Sequence, residues 1–368
     1  MTKEQISAIA LSYLNGVGPI RAKRMLAKAG SFEAVFELTD ETLNELGISE
    51  AAQRALRDGT VVKLAERELE LIARYDVQVI DCLSEAYPRR LSELADSPIV
   101  LYYRGTAKLD SRRTVGLVGT RKPTVHGRDA CERLVEELSE YSVTTISGLA
   151  YGVDVTAHEA SLRLGVPTIA VLAHGLAEIY PTAHRHVAQR MLEAGGGLLT
   201  EYPCGLRSRK TFFPQRNRII AGLSDAVVVV ESAQRGGSMI TADLAAGYHT
   251  PVFAFPGRNR DAMSAGPNQL IKSHKAHLLQ SASDIGYILG WQANDAGGAT
   301  GRANLLFQTF EPEEQRIIDA LKEHDDLDLD TLALRSELLN GELAAHLLEL
   351  EFKGAIRHLP GKRYALAL

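Results

Sequence analysis

The chain has 368 residues with an average composition, 45% apolar and 24% charged, and a formal net charge of −5. This length favours two or three domains, and this composition excludes a disordered or fibrous protein. No run approaches the roughly 20 consecutive apolar residues of a membrane-spanning helix, and the opening segment MTKEQISAIA lacks the apolar centre of a secretory signal. We therefore expect a cytoplasmic protein without membrane contact.

The cysteines Cys82, Cys131 and Cys204 are far apart and odd in number. They predict neither a disulfide framework nor a metal site. We expect reduced thiols that are mostly buried.

Charge is distributed unevenly along the chain. Residues 104–128 contain seven Lys or Arg and one acid, and residues 202–218 contain five Lys or Arg and no acid. Both ends are acidic, with ten basic and twelve acidic residues in 1–80 and seven against thirteen in 311–368. Because affinity for phosphate comes from Lys and Arg, any nucleic-acid site is expected in the middle of the chain.

Residues 1–80 are predicted to form a helical domain of the helix-hairpin-helix or SAM-like type. In LNGVGPIRAKRML, two glycines permit a tight turn and Pro19 suits the first turn of the next helix. The amides of such a hairpin can meet a DNA phosphate. A hairpin that only packs against the rest of the protein is the other open interpretation, because this region is acidic.

Residues 81–290 are predicted to form an α/β domain with a Rossmann-like parallel sheet. Near-continuous apolar runs separated by helix-length segments are typical of a parallel sheet covered on both faces. The predicted strands are TVGLVGT, SVTTIS, PTIAVLA, GGLLTEY, DAVVVVE and TPVFAFP.

The C-terminal part is predicted to be a linker, residues 291–310, followed by a winged-helix domain, residues 311–368. The linker is rich in Gly, Ala and Asn without periodicity. Three helices and a hairpin turned at Pro360-Gly361 follow in the order of a winged helix. The third helix carries Glu342, Glu349 and Glu351 against Lys353 alone, which favours a protein-contact or vestigial role over DNA binding.

Ligands of open parallel sheets bind where strands end and helices begin, and four loops qualify here. The first, GTRKPTVHG, offers Gly119 for close backbone approach, the hydroxyls of Thr120 and Thr124, and the charges of Arg121 and Lys122. This combination predicts phosphate binding. The loop lacks the GxGxxG spacing and no acid ends the second strand, so no dinucleotide cofactor is expected.

The second loop, SGLAYGVDVTAH, offers Ser147 and Gly148 as phosphate contacts. Asp154 and His158 lie four residues apart on one helical face, and we expect this pair to brace its helix. A hydrolase interpretation is rejected because the serine is not in a GxSxG elbow.

The third loop, EYPCGLRSRKTFFPQRNRIIAGLSD, combines cations with aromatic rings. Sequence-tolerant binding of single strands needs this pairing, because rings stack on unpaired bases while cations meet phosphates. We expect at least one phenylalanine to lie in the core and at least one of the helix arginines to form a structural ion pair. The candidate residues are Arg209, Lys210, Phe212, Phe213, Arg216, Asn217 and Arg218.

The fourth loop, ESAQRGGSMITADLAAG, places three small residues at a helix start after the strand DAVVVVE. Gly236 and Gly237 leave backbone amides open, and Ser238 supplies a cap hydroxyl. We expect this loop to complete the pocket. The sequence predicts no catalytic residue and no metal ligand.

These segments resemble the DprA/Smf family of DNA-processing proteins. The matching stretches occur in order over residues 86–280: YPRRL, DSP, GLVGTRKPTVHG, SGLAYGVDVTAH, LAHGLAEIYP, FPQRNRIIAGLSD, GGSMITA and FAFPG. The resemblance implies a non-catalytic protein without cofactor that binds and protects incoming single-stranded DNA in natural transformation. It further implies that the protein helps load RecA in place of single-strand-binding protein.

The resemblance also implies site residues and a dimer. Arg121, Lys210 and Phe213 correspond to residues that grip phosphate and stack a base, supported by the first and second loops. A homodimer is implied, and the apolar residues of NQLIKSHKAHLL are assigned to its contact.

Two other functions are compatible with the same fold. Nucleotide phosphoribohydrolases of the LOG type carry a PGGxGTxxE loop, but RGGSMITAD has lost the proline, the second Gly-Thr and one glutamate, leaving Asp243 as the candidate acid. A protein-binding adaptor without DNA affinity is the second alternative.

Overall fold

The computed structural model describes residues 1–293, 310–322, 326–352, 355–359 and 363–366. The chain divides into two units, residues 1–293 and 294–368. Most of the predicted linker and the Pro360-Gly361 turn lie outside the described residues. No described helix is both long and apolar enough to cross a membrane.

The predicted helices of the N-terminal region are confirmed. Gly16 adopts a left-handed conformation (φ 81°), and Pro19 opens the next helix after the extended cap Gly18, as the hairpin pattern requires. Thr2, Ser31, Thr39 and Ser49 cap four other helices through their hydroxyls. The six helices are α1 (Lys3–Ser12), α2 (Pro19–Ala29), α3 (Phe32–Val35), α4 (Asp40–Glu45), α5 (Glu50–Arg57) and α6 (Thr60–Arg74).

A nine-stranded sheet follows, in the order β1-β2-β6-β5-β4-β3-β7-β8-β9. All six predicted strands are confirmed, and from β6 to β9 the neighbours are parallel. The antiparallel pair β1 and β2 at one edge and the short β9 at the other were not predicted. The strands are β1 (Gln78–Asp81), β2 (Val100–Gly105), β3 (Thr114–Val118), β4 (Thr144–Ser147), β5 (Thr168–Val171), β6 (Gly197–Thr200), β7 (Ala226–Val229), β8 (Val252–Ala254) and β9 (His277–Leu278).

Helices cover both faces of the sheet, as the continuous apolar strands require. The chain runs from β3 outward to β6 and then returns to the other side of β3 to form β7. This reversal is the topological switch point at which Rossmann-like sheets bind ligands. The helices are α7 (Arg89–Ser92), α8 (Val125–Ser139), α9 (Val153–Leu164), α10 (Arg185–Glu193), α11 (Phe212–Leu223), α12 (Gly237–Gly247), α13 (Ala265–Lys272) and α14 (Ala282–Leu289), with a 3₁₀ turn at Thr182–His184.

The N-terminal helices and the sheet share one hydrophobic core. Ile9 and Phe32 of the helices belong to the same buried cluster as Tyr102, Leu172 and Leu198 of the sheet region. The domain limits at residues 80 and 81 stay a prediction. The helical region is nevertheless packed against the sheet rather than joined to it by a free linker.

The second unit has the winged-helix fold that the sequence predicts. Its helices are Pro312–Lys322, Leu329–Ser336 and Asn340–Phe352, and its three strands are Leu327–Asp328, Ile356–Leu359 and Arg363–Leu366. Leu321, Leu332 and Leu347 lie in its core. The third helix exposes Leu348 and Glu349, so its outer surface is apolar and acidic rather than basic.

Glu68 of α6 joins the helical region to the sheet region. Its buried carboxylate accepts hydrogen bonds from the Tyr13 hydroxyl (2.9 Å) and from the Cys204 backbone amide. Hydrogen bonds to charged groups contribute about 1.5–3 kcal/mol each, and losing one partner leaves the other unsatisfied. The contact therefore stabilises the packing of α1 and α6 on the sheet.

Glu68→Ala is expected to lower the free energy of unfolding of the N-terminal unit by about 2–4 kcal/mol, because two buried donors lose their acceptor. Urea titration followed by circular dichroism measures the change. Exposed Glu66 on the same helix offers a matched control, and Glu66→Ala should shift stability by no more than about 0.5 kcal/mol. Equal shifts in both variants would contradict the assignment.

Candidate nucleic-acid interface

All four predicted loops meet at one cavity of about 280 Å³ beside the ends of β3 and β7. Because neighbouring parallel strands end at the same edge, loops that are far apart in sequence are brought together. Residues of every loop line the cavity: Gly119, Thr120 and Arg121 of the first, Ala150 and Asp154 of the second, Arg216 and Asn217 of the third, and Gly236, Gly237 and Ser238 of the fourth.

Glu231, at the end of β7, holds the first loop in place. Its carboxylate accepts hydrogen bonds from the Thr124 amide (2.8 Å) and hydroxyl (2.6 Å), and its carbonyl accepts one from the Thr120 amide (2.7 Å). The Thr124 hydroxyl also caps α8 by accepting from the Gly127 amide. The expectation that Thr124 offers its hydroxyl to phosphate is wrong, because the side chain is bound to Glu231.

The cations of the first loop stay exposed. Arg121 and Lys122 both reach solvent, and the Thr120 hydroxyl accepts a hydrogen bond from the Lys122 amide. In the part of the chain that the structure describes, no ion pair involves Arg121, Lys122 or Lys210, whereas Arg207 lies 3.8 Å from Glu178. Arg121 and Lys210 are therefore available to an anion.

A second cavity of about 390 Å³ shares Arg121, Asn217 and Gly237 with the first, so the two form one groove. Lys210, Phe213 and Tyr180 line this part of the groove. The Arg121 guanidinium carbon lies 5.1 Å from the centre of the Phe213 ring, within cation–π range. A cation and an aromatic ring thus occupy the same wall.

The two phenylalanines have different roles. Phe212 stacks on the buried ring of Tyr202, with centroids 4.3 Å apart, and Arg209 lies 5.6 Å from its centre. Only Phe213 of the pair lines the groove. Phe212 is therefore reassigned from a DNA contact to packing of the loop that carries Lys210, whereas Arg209 is exposed and stays a predicted DNA contact.

Arg216 and Arg218 are both bonded within the protein, in agreement with the expectation that at least one of them would be. The Arg216 guanidinium is buried and donates to the backbone carbonyls of Gly148 (2.8 Å) and Val171. Burial lowers the pKa of Arg216 to about 10. Arg218 is paired with Glu201, and both side chains are largely buried. The prediction that Arg216 binds phosphate directly is wrong, because its guanidinium is buried and bonded to backbone carbonyls. Arg218 is directed to Glu201 and does not line the groove.

Ser147 and Gly148 do not reach the groove. Ser147 is buried and its hydroxyl donates to the Leu117 carbonyl (2.6 Å). A Cβ at Gly148 would lie 2.4 Å from the Arg216 guanidinium, so this glycine makes room for that side chain. Both predicted phosphate contacts are therefore wrong, and the two residues position Arg216 instead.

The start of α12 keeps its backbone amides open. Gly236 is the extended cap residue, and no described side chain caps this helix. The Ser238 hydroxyl, predicted as a cap, donates to the Ser232 hydroxyl (2.8 Å). The amide groups of Gly237 and Ser238 thus face the groove with the positive end of the helix dipole, an arrangement that favours an anion.

Asp154 and His158 do not brace each other. Asp154 accepts from the Ala150 amide (3.3 Å), whereas His158 Nδ1 lies 2.7 Å from the Thr168 hydroxyl. Burial raises the pKa of the Asp154 carboxyl, and the Arg216 charge opposes this shift. Because Ser147 and His158 are bonded elsewhere, the three side chains form no Ser–His–Asp relay.

Sequence reasoning missed Glu231, which holds the first loop of the groove, and Tyr180 and Thr241, which line the groove. Glu231 follows the run DAVVVV, and an acid at a strand end near a phosphate loop was the available signal. Tyr180 lies in LAHGLAEIYP, a stretch quoted only for its family resemblance. Thr241 is buried in the wall, its hydroxyl has no hydrogen-bond partner among the described residues, and nothing in the sequence marks it.

Comparisons with known proteins agree with this architecture. The family model described as DNA recombination-mediator protein A matches residues 78–289, and the DprA winged helix domain matches residues 307–362. Protein Smf of Synechocystis is 32% identical over an alignment of 402 positions, which covers 98% of both chains. The chain belongs to the DprA/Smf family.

Solved structures of the family share the fold. The X-ray structure of DNA processing protein A from Streptococcus pneumoniae aligns with a TM-score of 0.65 and 29% identity, over 79% of this chain and 99% of that one. DNA processing protein A from Helicobacter pylori, whose structure concerns its single-stranded DNA binding mode, aligns with a TM-score of 0.52 and 32% identity, over 58% and 95%. Family membership and the Rossmann-like and winged-helix parts are thus shown.

The buried and exposed arginines of the groove should behave differently on replacement. Arg216→Met is expected to lower the free energy of unfolding by about 3–5 kcal/mol, because two carbonyls lose their buried donor and buried Asp154 loses a nearby positive charge. Arg121→Met should change it by no more than about 0.5 kcal/mol, since Arg121 is exposed. Urea unfolding of both variants tests the contrast, and a tolerant Arg216 would refute its structural role.

His158 should make the fold sensitive to acid. Burial lowers its pKa to about 3 from 6.5, so the unfolded state takes up the proton first as the pH falls. The free energy of unfolding is therefore unaffected by His158 protonation above pH 6.5 and decreases as the pH falls from 6.5 toward 3. Between pH 7 and pH 5 the expected decrease is about 2 kcal/mol. Urea unfolding at both pH values should show a smaller acid loss in His158→Gln. An unchanged loss would contradict the burial effect.

Proposed function

We propose that this protein binds single-stranded DNA along the groove, protects it during natural transformation and helps to load RecA in place of single-strand-binding protein. The observation that carries the proposal is the contact of the exposed Arg121 guanidinium with the Phe213 ring, beside the open amides of α12. A cation, an anion-binding helix start and an aromatic ring within one groove match the phosphates and unpaired bases of a single strand. The family relationship and the Helicobacter pylori structure support the same ligand.

In this arrangement the phosphates and the base of a nucleotide each contact a different group of the protein. Arg121 and Lys210 bind backbone phosphates, and the amides of Gly237 and Ser238 add donors that carry no side-chain entropy cost. The half-buried Phe213 ring stacks one base. Duplex DNA offers no free base to this ring, so we expect a preference for single strands.

The protein acts without a catalytic step or a cofactor in this proposal. Asp243, the candidate acid of the phosphoribohydrolase alternative, is exposed and paired with Lys275 at 2.7 Å. Asp243 does not line the cavity beside the ends of β3 and β7. Asp154 does line that cavity, but it is buried near Arg216 and accepts a hydrogen bond from a backbone amide. The groove is thus equipped to hold a polyanion rather than to cleave one.

We propose further that the protein is a homodimer joined through residues 268–279. This segment contains most of α13 and the edge strand β9, where Leu278 is 45% exposed. An edge strand with an exposed apolar side chain can pair with the same strand of a second copy of the protein. The outward-facing Leu334 and Leu348 of the winged helix, 80% and 55% exposed, fit contact with a protein partner rather than DNA.

Arg121→Ala and Phe213→Ala should weaken binding to oligo-dT in distinguishable ways. Removal of Arg121 deletes a phosphate contact, so the slope of log affinity against log salt should become shallower by about 0.7. Removal of Phe213 deletes a stacked base, so affinity should fall about five- to 100-fold with the slope unchanged. Fluorescence anisotropy at several salt concentrations, with a duplex for comparison, measures both effects.

Exposed Arg133 on α8 offers a control of equal charge, and Arg133→Ala should retain the binding of the unmodified protein. The effects of the double variant Arg121→Ala/Phe213→Ala should be less than additive, because the two side chains contact each other. Undiminished binding by both single variants, with folding intact, would refute the proposed function.

A further inference from the structure

Two exposed tyrosines lie at the edge of the sheet that carries the groove. Tyr151 is 49% exposed and Tyr180 is 48% exposed, although aromatic side chains are usually well buried. Tyr151 belongs to the loop after β4 and Tyr180 to the loop after β5. Both strands end at the same edge as β3, so both rings are candidates for contact with a bound strand.

Tyr180 contacts the Phe213 ring and orients it. The two rings meet edge to face with centroids 5.9 Å apart, and the Tyr180 amide is fixed by a hydrogen bond to His174 Nε2 (3.1 Å). An edge-to-face neighbour orients a ring and leaves its faces available. Tyr180 is therefore a positioning residue for the first stacking ring rather than a separate platform.

The backbone next to Tyr151 packs on the backbone of Arg121, whereas Phe213 contacts the guanidinium end of that residue. The next residue, Gly152, packs so closely on the first loop that a Cβ there would lie 2.3 Å from the Thr120 carbonyl oxygen and 2.7 Å from Arg121 Cα. The Val153 amide donates to the same Thr120 carbonyl (3.2 Å). The Tyr151 backbone is thus held against the backbone of Arg121, while the Arg121 side chain extends to Phe213.

The Tyr151 ring is also fixed in orientation. It meets the buried ring of His184 at 4.8 Å and 70°, and His184 Nδ1 is bonded to the Leu149 carbonyl of the same loop (2.8 Å). This contact holds the ring by an edge-to-face packing while half of its surface stays open. A ring that is preorganised and exposed can stack on a base with little loss of side-chain entropy.

The geometry points to Tyr151 as a second base-stacking platform, so that Arg121 grips the phosphate between one nucleotide on Phe213 and its neighbour on Tyr151. The inference rests on the proposed function and extends its footprint from one base to two adjacent bases. Stacking by Tyr151 requires no sequence preference, because every base has an aromatic face.

Tyr151→Ala should weaken binding of labelled oligo-dT by about fivefold or more, with an unchanged salt slope because no phosphate contact is lost. Tyr151→Phe should retain binding, since the stacking ring is kept. Tyr151→Leu, which keeps an apolar contact with His184 but has no aromatic face, should weaken it like the alanine variant. Tyr287 is 87% exposed on α14, and Tyr287→Ala is a matched control that should bind normally.

An oligo-dT that lacks every second base gives a sharper test. Such a strand cannot fill two adjacent platforms at once, so the unmodified protein should bind it more weakly than complete oligo-dT. In Tyr151→Ala this difference should shrink, because one platform is already absent. A difference of the same size in both proteins would overturn the inference.

The outcomes separate this inference from the proposed function. Loss of affinity in Phe213→Ala with normal binding by Tyr151→Ala and Tyr151→Leu would overturn the second platform and leave the proposed function intact. Normal binding by the Phe213 and Tyr151 variants alike would overturn both. Thermal melting of each variant confirms that the compared proteins are folded.

Discussion

The clamp that Glu231 forms between the ends of β3 and β7 is the interaction on which the groove depends. Backbone and side-chain donors of the first loop converge on this one residue, which closes the gap at the switch point of the sheet. The clamp fixes the backbone from Thr120 to Thr124, while the Arg121 side chain stays exposed against the Phe213 ring. A fixed backbone with an exposed cation suits a ligand whose charges are regularly spaced but whose bases vary.

Burial divides the basic residues of the third loop into two groups. Arg216 and Arg218 are enclosed and bonded to carbonyls or to Glu201, whereas Lys210 faces the solvent. Transfer of a charge into the interior requires partners for its donors, so the buried arginines are committed to the fold. The basic character seen in the sequence therefore overstates the charge that a ligand meets, which comes from the exposed cations Arg121 and Lys122 of the first loop and Arg209 and Lys210 of the third.

The sheet was predictable because a parallel strand covered on both faces must be apolar throughout, and six such runs are visible. The edge strand β1 was missed because its short run QVID has polar residues at both ends, and β2 was missed although its run VLYY is apolar and buried. In α11 the roles of the arginines could have been inferred. Arg216, Ile220 and Leu223 follow the spacing of one helical face and all are buried, so Arg216 lies on the inward side.

Other features of the site could not be inferred from the sequence. The hydroxyl of Ser147 is directed to the Leu117 carbonyl, an acceptor that only the tertiary structure brings near. The distinction between Phe212 and Phe213 likewise depends on Tyr202, which stacks on one of them. Local patterns thus identify which loops form the groove, but the direction of each side chain depends on distant partners.

The core shared by the N-terminal helices and the sheet limits how the chain can be shortened. Without residues 1–74, the buried side chain of Tyr102 on β2, the strand on which α1 packs, would form part of an uncovered apolar surface. Large surfaces of this kind cause association and aggregation in water. For this chain the helical region is an integral cover of the central fold, and fragments cut at β1 are poor representatives of the whole protein.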